Sequence, residues 1–209
     1  MARPEQIPSS SFDTIVTDMD GSVYSFKGES NKYKGSSLEQ AVRSNLIKLI
    51  INQENLSFAQ ALRLVESVET TGVYFSIHFG QKYNLTRKDY FDIVWDINPD
   101  DHIANFEIPK KKLQELKSKG KKIVLLTSAP SMWAKRVINY LGLTQVIDEV
   151  ITGENFSIKS EVFQRISKEY LPSRTLSVGD QEETDITPAQ EFGMITLHIS
   201  HPSEFSLII

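Results

Sequence analysis

The run Ile15-Val16-Thr17-Asp18-Met19-Asp20-Gly21-Ser22 limits the fold of this chain more than any other stretch. Its β-branched start suits a buried strand of a parallel sheet. The turn that follows delivers polar side chains to the rim where α/β proteins bind ligands. Alternation along a strand lets Asp18 and Asp20 share one side while Met19 points into the packing. Two acids held this close repel unless a cation or a proton separates them. Gly21 allows a sharp exit from the strand and the close approach of a ligand.

The remaining pattern shows what surrounds that strand. Ser22 to Lys34, with Gly28, Asn31 and then Gly35, reads as a polar linker leaving the sheet. Ser36 and Glu39 form a capping box for a first helix, and further helices are predicted from Ser57 and from Thr86. The aromatic stretch 72–83 settles on no single period. From about residue 25 to 106 the chain reads as almost wholly helical. Beyond Pro109 helices and strands alternate: a helix to Lys119-Gly120, then strands at 123–126, 146–151, 175–178 and 195–197, separated by helices at 131–141, 161–170 and 188–192. Such alternation implies an α/β fold with a Rossmann-like, doubly wound parallel sheet. The first strand belongs to the same sheet, so 1–24 and 107–209 should form the core domain and 25–106 a helical insertion.

Composition excludes several classes. A net charge of -4 offers no global attraction for nucleic acid or a membrane surface. No cysteine is present, which removes disulfides, thiolate metal sites and a cysteine nucleophile, and suits a reducing compartment. No run approaches the ~20 apolar residues of a membrane span. Met1 to Phe12 lacks the apolar centre of a secretory signal and is expected to be a mobile lead-in to a cytoplasmic protein. Seven lysines between Lys110 and Lys122 read as a solvated face.

In a parallel sheet the strand ends meet on one rim. That rim should collect Asp18, Asp20, Thr127, Ser128, Lys159, Asp180 and Asp185. Converging carboxylates without compensating arginines call for a hard divalent cation, and an all-oxygen site suits magnesium. A hydroxyl, a lysine and helix-start NH groups suit a phosphate. Together they point to phosphoryl transfer with an aspartate as nucleophile. His78 and His102 read as surface or packing residues, His198 and His201 lack metal-ligand spacing, and Tyr90, Phe91 and Trp95 stand at core spacing on a helix.

The ordered set Asp18-Met19-Asp20-Gly21-Ser22, Thr127-Ser128, Lys159 and Gly179-Asp180 through Asp185 resembles the four motifs of the haloacid dehalogenase-like superfamily. The insertion straight after the first motif is similar to the helical cap of its subfamily I, and Tyr24 with Ile108-Pro109 resembles the pyrimidine nucleotidase-like branch. The resemblance implies a magnesium-dependent phosphatase. Asp18 would attack phosphorus and Asp20 would act as acid and base. Asp18, Asp20 (through its main-chain carbonyl), Asp180 and Asp185 would serve the metal, and Thr127, Ser128 and Lys159 the phosphate. Ser22 replaces the usual threonine, Ser128 the common asparagine, and no proline follows Lys159, for which Lys168 is a competitor. Asp20 argues against a dehalogenase, whose branch lacks the second aspartate.

The implied partner is a small phosphorylated metabolite. A nucleoside monophosphate, phosphoglycolate and sugar phosphates all stay open, as do a phosphomutase and a non-catalytic binding protein of the same fold. A receiver-like signalling domain fits less well, because its acid pair is adjacent and it has no room for the insertion. Oligomeric state is left open.

Overall fold

The computed structural model describes residues 6–28 and 32–209. In chain order these form β1 (Thr14–Thr17), β2 (Ser25–Phe26), α1 (Ser37–Glu54), α2 (Phe58–Glu69), α3 (Phe75–Tyr83), α4 (Arg87–Val94) and β3 (Ile103–Ala104). There follow α5 (Glu107–Ser118), β4 (Lys122–Leu126), α6 (Ser131–Leu141), β5 (Glu149–Ile151), α7 (Lys159–Glu169), β6 (Thr175–Gly179), α8 (Thr187–Glu191) and β7 (Ile195–His198).

Five strands make one parallel sheet in the order β5-β4-β1-β6-β7. The two-residue side-chain period sorts the strands onto two faces. Ile15, Ile123, Leu125, Leu176 and Val178 join one hydrophobic cluster with α5 and α6. Val16, Val124, Leu126 and Ile151 join another with α7 and α8. The chain runs from β1 outward through β4 and β5, then crosses back to β6, so the order reverses beside β1. Ligands of open α/β sheets bind outside the strand ends at such a reversal.

The insertion leaves and re-enters through a two-stranded antiparallel ribbon, with Ser25 opposite Ala104 and Phe26 opposite Ile103. Helices α1 to α4 enclose their own cluster, including Leu46, Ile50, Val65, Phe79 and Tyr90. Val42 and Trp95 pack against both this cluster and the core.

Several elements differ from the sequence reading, each for a local reason. Ser22 to Phe26 is buried rather than a polar linker, because Tyr24 and Phe26 turn back into the core. Asn31 lies outside the described residues. Ser36 Oγ accepts from Glu39 N, but the Glu39 carboxylate caps Gly35 N, since Ser36 N already donates to Tyr33 O. The ambiguous 72–83 stretch is helical over α3, where Phe75, Phe79 and Tyr83, four apart, sit ring against ring. Exposed Val73, Tyr74 and Ile77 had blurred that period. The strand read as 146–151 begins only at Glu149, because Val146 and Ile147 turn back onto Leu143 O. The lysine-rich stretch is solvated, with Lys117 paired to Asp148 and Lys119 to Glu115. No helix of the described residues is long and apolar enough to cross a membrane.

Gln6 to Phe12 is not a loose lead-in. Ile7 bridges Ile208, Ile7 N donates to Leu207 O, and Phe12 is wholly buried. Phe12→Ala is therefore expected to cost about 3–5 kcal/mol, as other large-to-small core changes do. Urea unfolding of the two proteins measures it, and a loss below about 1 kcal/mol would contradict this packing.

Candidate active site

Thr127, Asp18 and Asp180 directly follow the adjacent strands β4, β1 and β6, so neighbouring strand ends place these side chains together. Asp18 N still donates to Val178 O at 2.9 Å, which continues the ladder one step past β1. Lys159, the first residue of α7, comes from the far side of the sheet order. Its Nζ lies 2.6 Å from Asp18 Oδ1 and 2.6 Å from Asp185 Oδ1, and all three side chains are almost fully buried. Lys168, the competing lysine, has no part in this contact. Ser22 Oγ donates to Asp18 Oδ2 at 3.2 Å, so the departure from threonine keeps the hydroxyl's bond.

A single π-helical turn over Glu182–Ile186 swings Asp185 back under the end of β6. Gln181 N donates to Asp185 Oδ2, and Ser177 Oγ donates to Asp185 O. A Cβ on Gly179 would sit 2.3 Å from Asp185 Cβ, so glycine is required there. Gly153 is under the same constraint, since its Cβ would meet Ser128 O at 2.1 Å.

Carboxylate oxygens of Asp18, Asp180 and Asp185 lie within 4.8 Å of one another. Asp180 Oδ1 is buried and has no hydrogen-bond partner among the described residues. Burial, with the Asp185 charge behind it, pushes the Asp180 carboxyl up to about 6. Burial likewise raises Asp18 well above the carboxylate range, opposed by Lys159 and reinforced by the neighbouring acids. For Lys159 desolvation works against the charge, but Asp18 and Asp185 overcome it and raise its pKa. One lysine thus balances two of three clustered acids. An all-oxygen donor set with an unpartnered buried oxygen fits a hard divalent cation.

Asp20 occupies a different environment. Its Oδ2 accepts from Thr127 Oγ1 at 3.0 Å, and its Oδ1 accepts from Trp133 Nε1 at 3.2 Å and from the Tyr24 hydroxyl. Burial raises its pKa while these three donors oppose the shift. Thr127 Oγ1 also accepts from Ala129 N, while its one proton is committed to Asp20. Ser128 is exposed and makes no side-chain hydrogen bond among the described residues. It lines a cavity of about 350 Å³ between the core rim and the insertion, together with Gly153, Tyr33, Arg87, Tyr90 and Trp95.

A model of the haloacid dehalogenase-like hydrolase family matches residues 13–199. The chain belongs to that family. It is a hydrolase by this membership, and its motif residues lie where the geometry above brings them together. Over 189 residues it is 28% identical to a Methanocaldococcus jannaschii protein named glyceraldehyde 3-phosphate phosphatase, covering 80% of this chain and 79% of that one. A phosphatase of the family from Thermococcus onnurineus superposes with a TM-score of 0.64 at 19% identity, over 90% of this chain and 86% of the other. A Haemophilus somnus protein described as a predicted phosphoglycolate phosphatase gives 0.60 at 15% identity, over 91% and 86%.

Of the residues singled out from sequence, Asp18, Asp180, Asp185 and Lys159 converge, Asp20 pairs with Thr127, and Ser128 stands apart on the cavity wall. Trp133 and Arg87 were not picked out at all, and Tyr24 only through resemblance. A buried indole N–H needs an acceptor, and Trp133 sits six residues past Thr127; that was the available signal for it. Tyr90 and Trp95 pack as their spacing implied, yet also line the cavity. The histidines lie off the cluster: His102 bonds Ser37, His201 bonds Ser203, and His198 Nε2 reaches Asp180 O at 3.1 Å.

Removing the shared cation should leave buried like charges unbalanced. Lys159→Met is expected to lose about 3–5 kcal/mol of stability at neutral pH. The loss should shrink as pH falls, because Asp18 then has a folded-state pKa above its unfolded one, and its penalty is absent below the unfolded value and grows as pH rises through the folded one. Urea unfolding at two pH values measures both; an equal loss at each would contradict the charge argument.

Proposed function

We propose that this hydrolase is a magnesium-dependent phosphatase of small phosphomonoesters that works through an aspartyl phosphate on Asp18. The observation that carries the reading is the buried Asp180 oxygen beside Asp18, unpartnered among the described residues, in a carboxylate cluster that Lys159 balances in part. The phosphatase names among the relatives support the same class.

Asp18 and Asp180, with the Asp20 main-chain carbonyl, would hold magnesium, and Asp185 would be a further ligand or the rear partner of Lys159. When bound, the ion supplies neutralisation of phosphate charge. Ser22 and Lys159 orient the Asp18 carboxylate, one oxygen of which attacks phosphorus as the bond to the leaving oxygen breaks. Asp20, in its proton-bearing form, gives that proton to the leaving oxygen. The resulting Asp20 carboxylate then takes a proton from the water that attacks phosphorus, releasing phosphate and restoring Asp18. Ser128, free of side-chain partners, would contact the phosphate or the leaving group, and Thr127, its proton committed, holds Asp20. Residues 25–106 would act as a cap domain over the 1–24 and 107–209 core, excluding water from the rim.

Among substrate classes, the cavity favours a leaving group with a planar ring, such as a nucleoside monophosphate. Its walls are largely aromatic, and Arg87, with no carboxylate partner among the described residues, lies 5.4 Å from the Phe91 ring. Stacking on such walls contributes about 1–3 kcal/mol per base. A three-carbon or two-carbon phosphate would leave most of them untouched. Transfer of the phosphoryl group to a second hydroxyl, as in a phosphomutase, would use the same Asp18 chemistry.

Two outcomes are expected. Phosphate release from a phosphomonoester panel should require magnesium, stop with a chelator and be absent in Asp18→Asn; full activity of that variant would sink the mechanism. Uridine or adenosine monophosphate should exceed ribose 5-phosphate in kcat/KM by at least about tenfold, the equivalent of about 1.4 kcal/mol. A preference for ribose 5-phosphate or glyceraldehyde 3-phosphate would contradict the ring reading alone.

A further inference from the structure

We infer that Tyr24 and Trp133 are positioning residues that clamp Asp20 so that only one lone-pair direction of its carboxylate can exchange a proton with the leaving group; this rests on the phosphatase reading above. A carboxylate offers about four acceptor directions. Tyr24 and Trp133 take both on Oδ1, and Thr127 takes one on Oδ2. Among the described residues this leaves one direction on Oδ2 for the transferred proton.

The donor directions are fixed by chemistry. An indole N–H can only donate. Trp133 Nε1 lies 3.1 Å from Tyr24 Oη as well as 3.2 Å from Asp20 Oδ1, so the tyrosine oxygen accepts from it. The tyrosine proton must then point at Asp20. Both rings are wholly buried.

Packing prevents either ring from turning away. Tyr24 meets Phe26 edge-on at 5.6 Å, and Phe26 meets Tyr33 at 6.1 Å. Tyr33 stacks on Trp95 at 6.0 Å and 12°, and Trp95 lies 6.1 Å from Trp133, which returns to Tyr24 through the hydrogen bond. This closed circuit of rings joins the first strand's turn, the insertion and α6. Tyr33 and Trp95 also wall the cavity, so the clamp on Asp20 is braced by the same rings that a leaving group would touch.

The test is kcat/KM for two ring-bearing esters, benzyl phosphate and p-nitrophenyl phosphate, with magnesium, in wild type, Tyr24→Phe, Trp133→Phe and the reference Asp20→Asn. This parameter reports steps only through phosphorylation of Asp18. Benzyl alkoxide needs a proton to leave, whereas p-nitrophenolate does not. The clamp requires each Phe variant to lose at least about tenfold on benzyl phosphate and under about threefold on p-nitrophenyl phosphate, in the pattern of Asp20→Asn. Equal losses on both esters, as a purely structural role would give, or no loss on either, would overturn the clamp while leaving the phosphatase standing. Absence of Asp18-dependent turnover in wild type would overturn both. Should Trp133→Phe not fold, Tyr24→Phe, which keeps the ring, decides the matter alone.

Discussion

The ammonium of Lys159, shared between Asp18 and Asp185, is the interaction on which the rest of the rim depends. Burying ions is costly unless each is paired and its remaining hydrogen-bonding positions are filled. Much of the local chain serves that need. The π-helical turn returns Asp185 beneath β6, Gly179 lacks the Cβ that would collide with it, and Ser22 and Gln181 N fill further carboxylate positions. Among the described residues Asp180 is left without an ammonium and with an unpartnered oxygen. The fold thus pairs two acids with an ammonium and places a third beside them.

Two residues along the chain from Asp18, Asp20 meets the opposite treatment. It receives neutral donors instead of an ammonium, and burial raises its pKa against them. Burial raises both carboxyls, so what separates the two is their partners, an ammonium beside Asp18 and three neutral donors around Asp20. The separation follows from geometry at the end of β1. Asp18 still runs with the ladder toward α7, whereas Gly21 and the turn after it bring Tyr24 back over Asp20. The helical insertion enters this picture through Tyr33 and Trp95, whose rings brace the donors while facing the cavity.

Much of the candidate site was legible because local sequence carries it. Asp18, Thr127 and Asp180 directly follow, and Asp20 closely follows, strands whose β-branched or aliphatic runs are unmistakable, and strand ends of a parallel sheet share one rim. Phe12, the β2–β3 ribbon and α3 were not legible for opposite reasons. A two-residue strand has no period to detect, Phe12 is buried only because it joins a core cluster drawn from distant parts of the chain, with Lys121 over its ring, and exposed aromatics around α3 masked its four-residue spacing.

By itself the sequence determined the alternation of helices and strands, the single long helical insertion and the types of residue at the strand ends, because hydrophobic period, caps and turn residues act over a few positions. Only the tertiary structure decided which lysine serves the site, how Asp20 is held and what the cavity presents. Lys159 reaches Asp18 across 141 positions of chain, and Trp133 reaches Asp20 across 113. Such pairings depend on strand order and helix placement, which residue identity at either end does not encode alone.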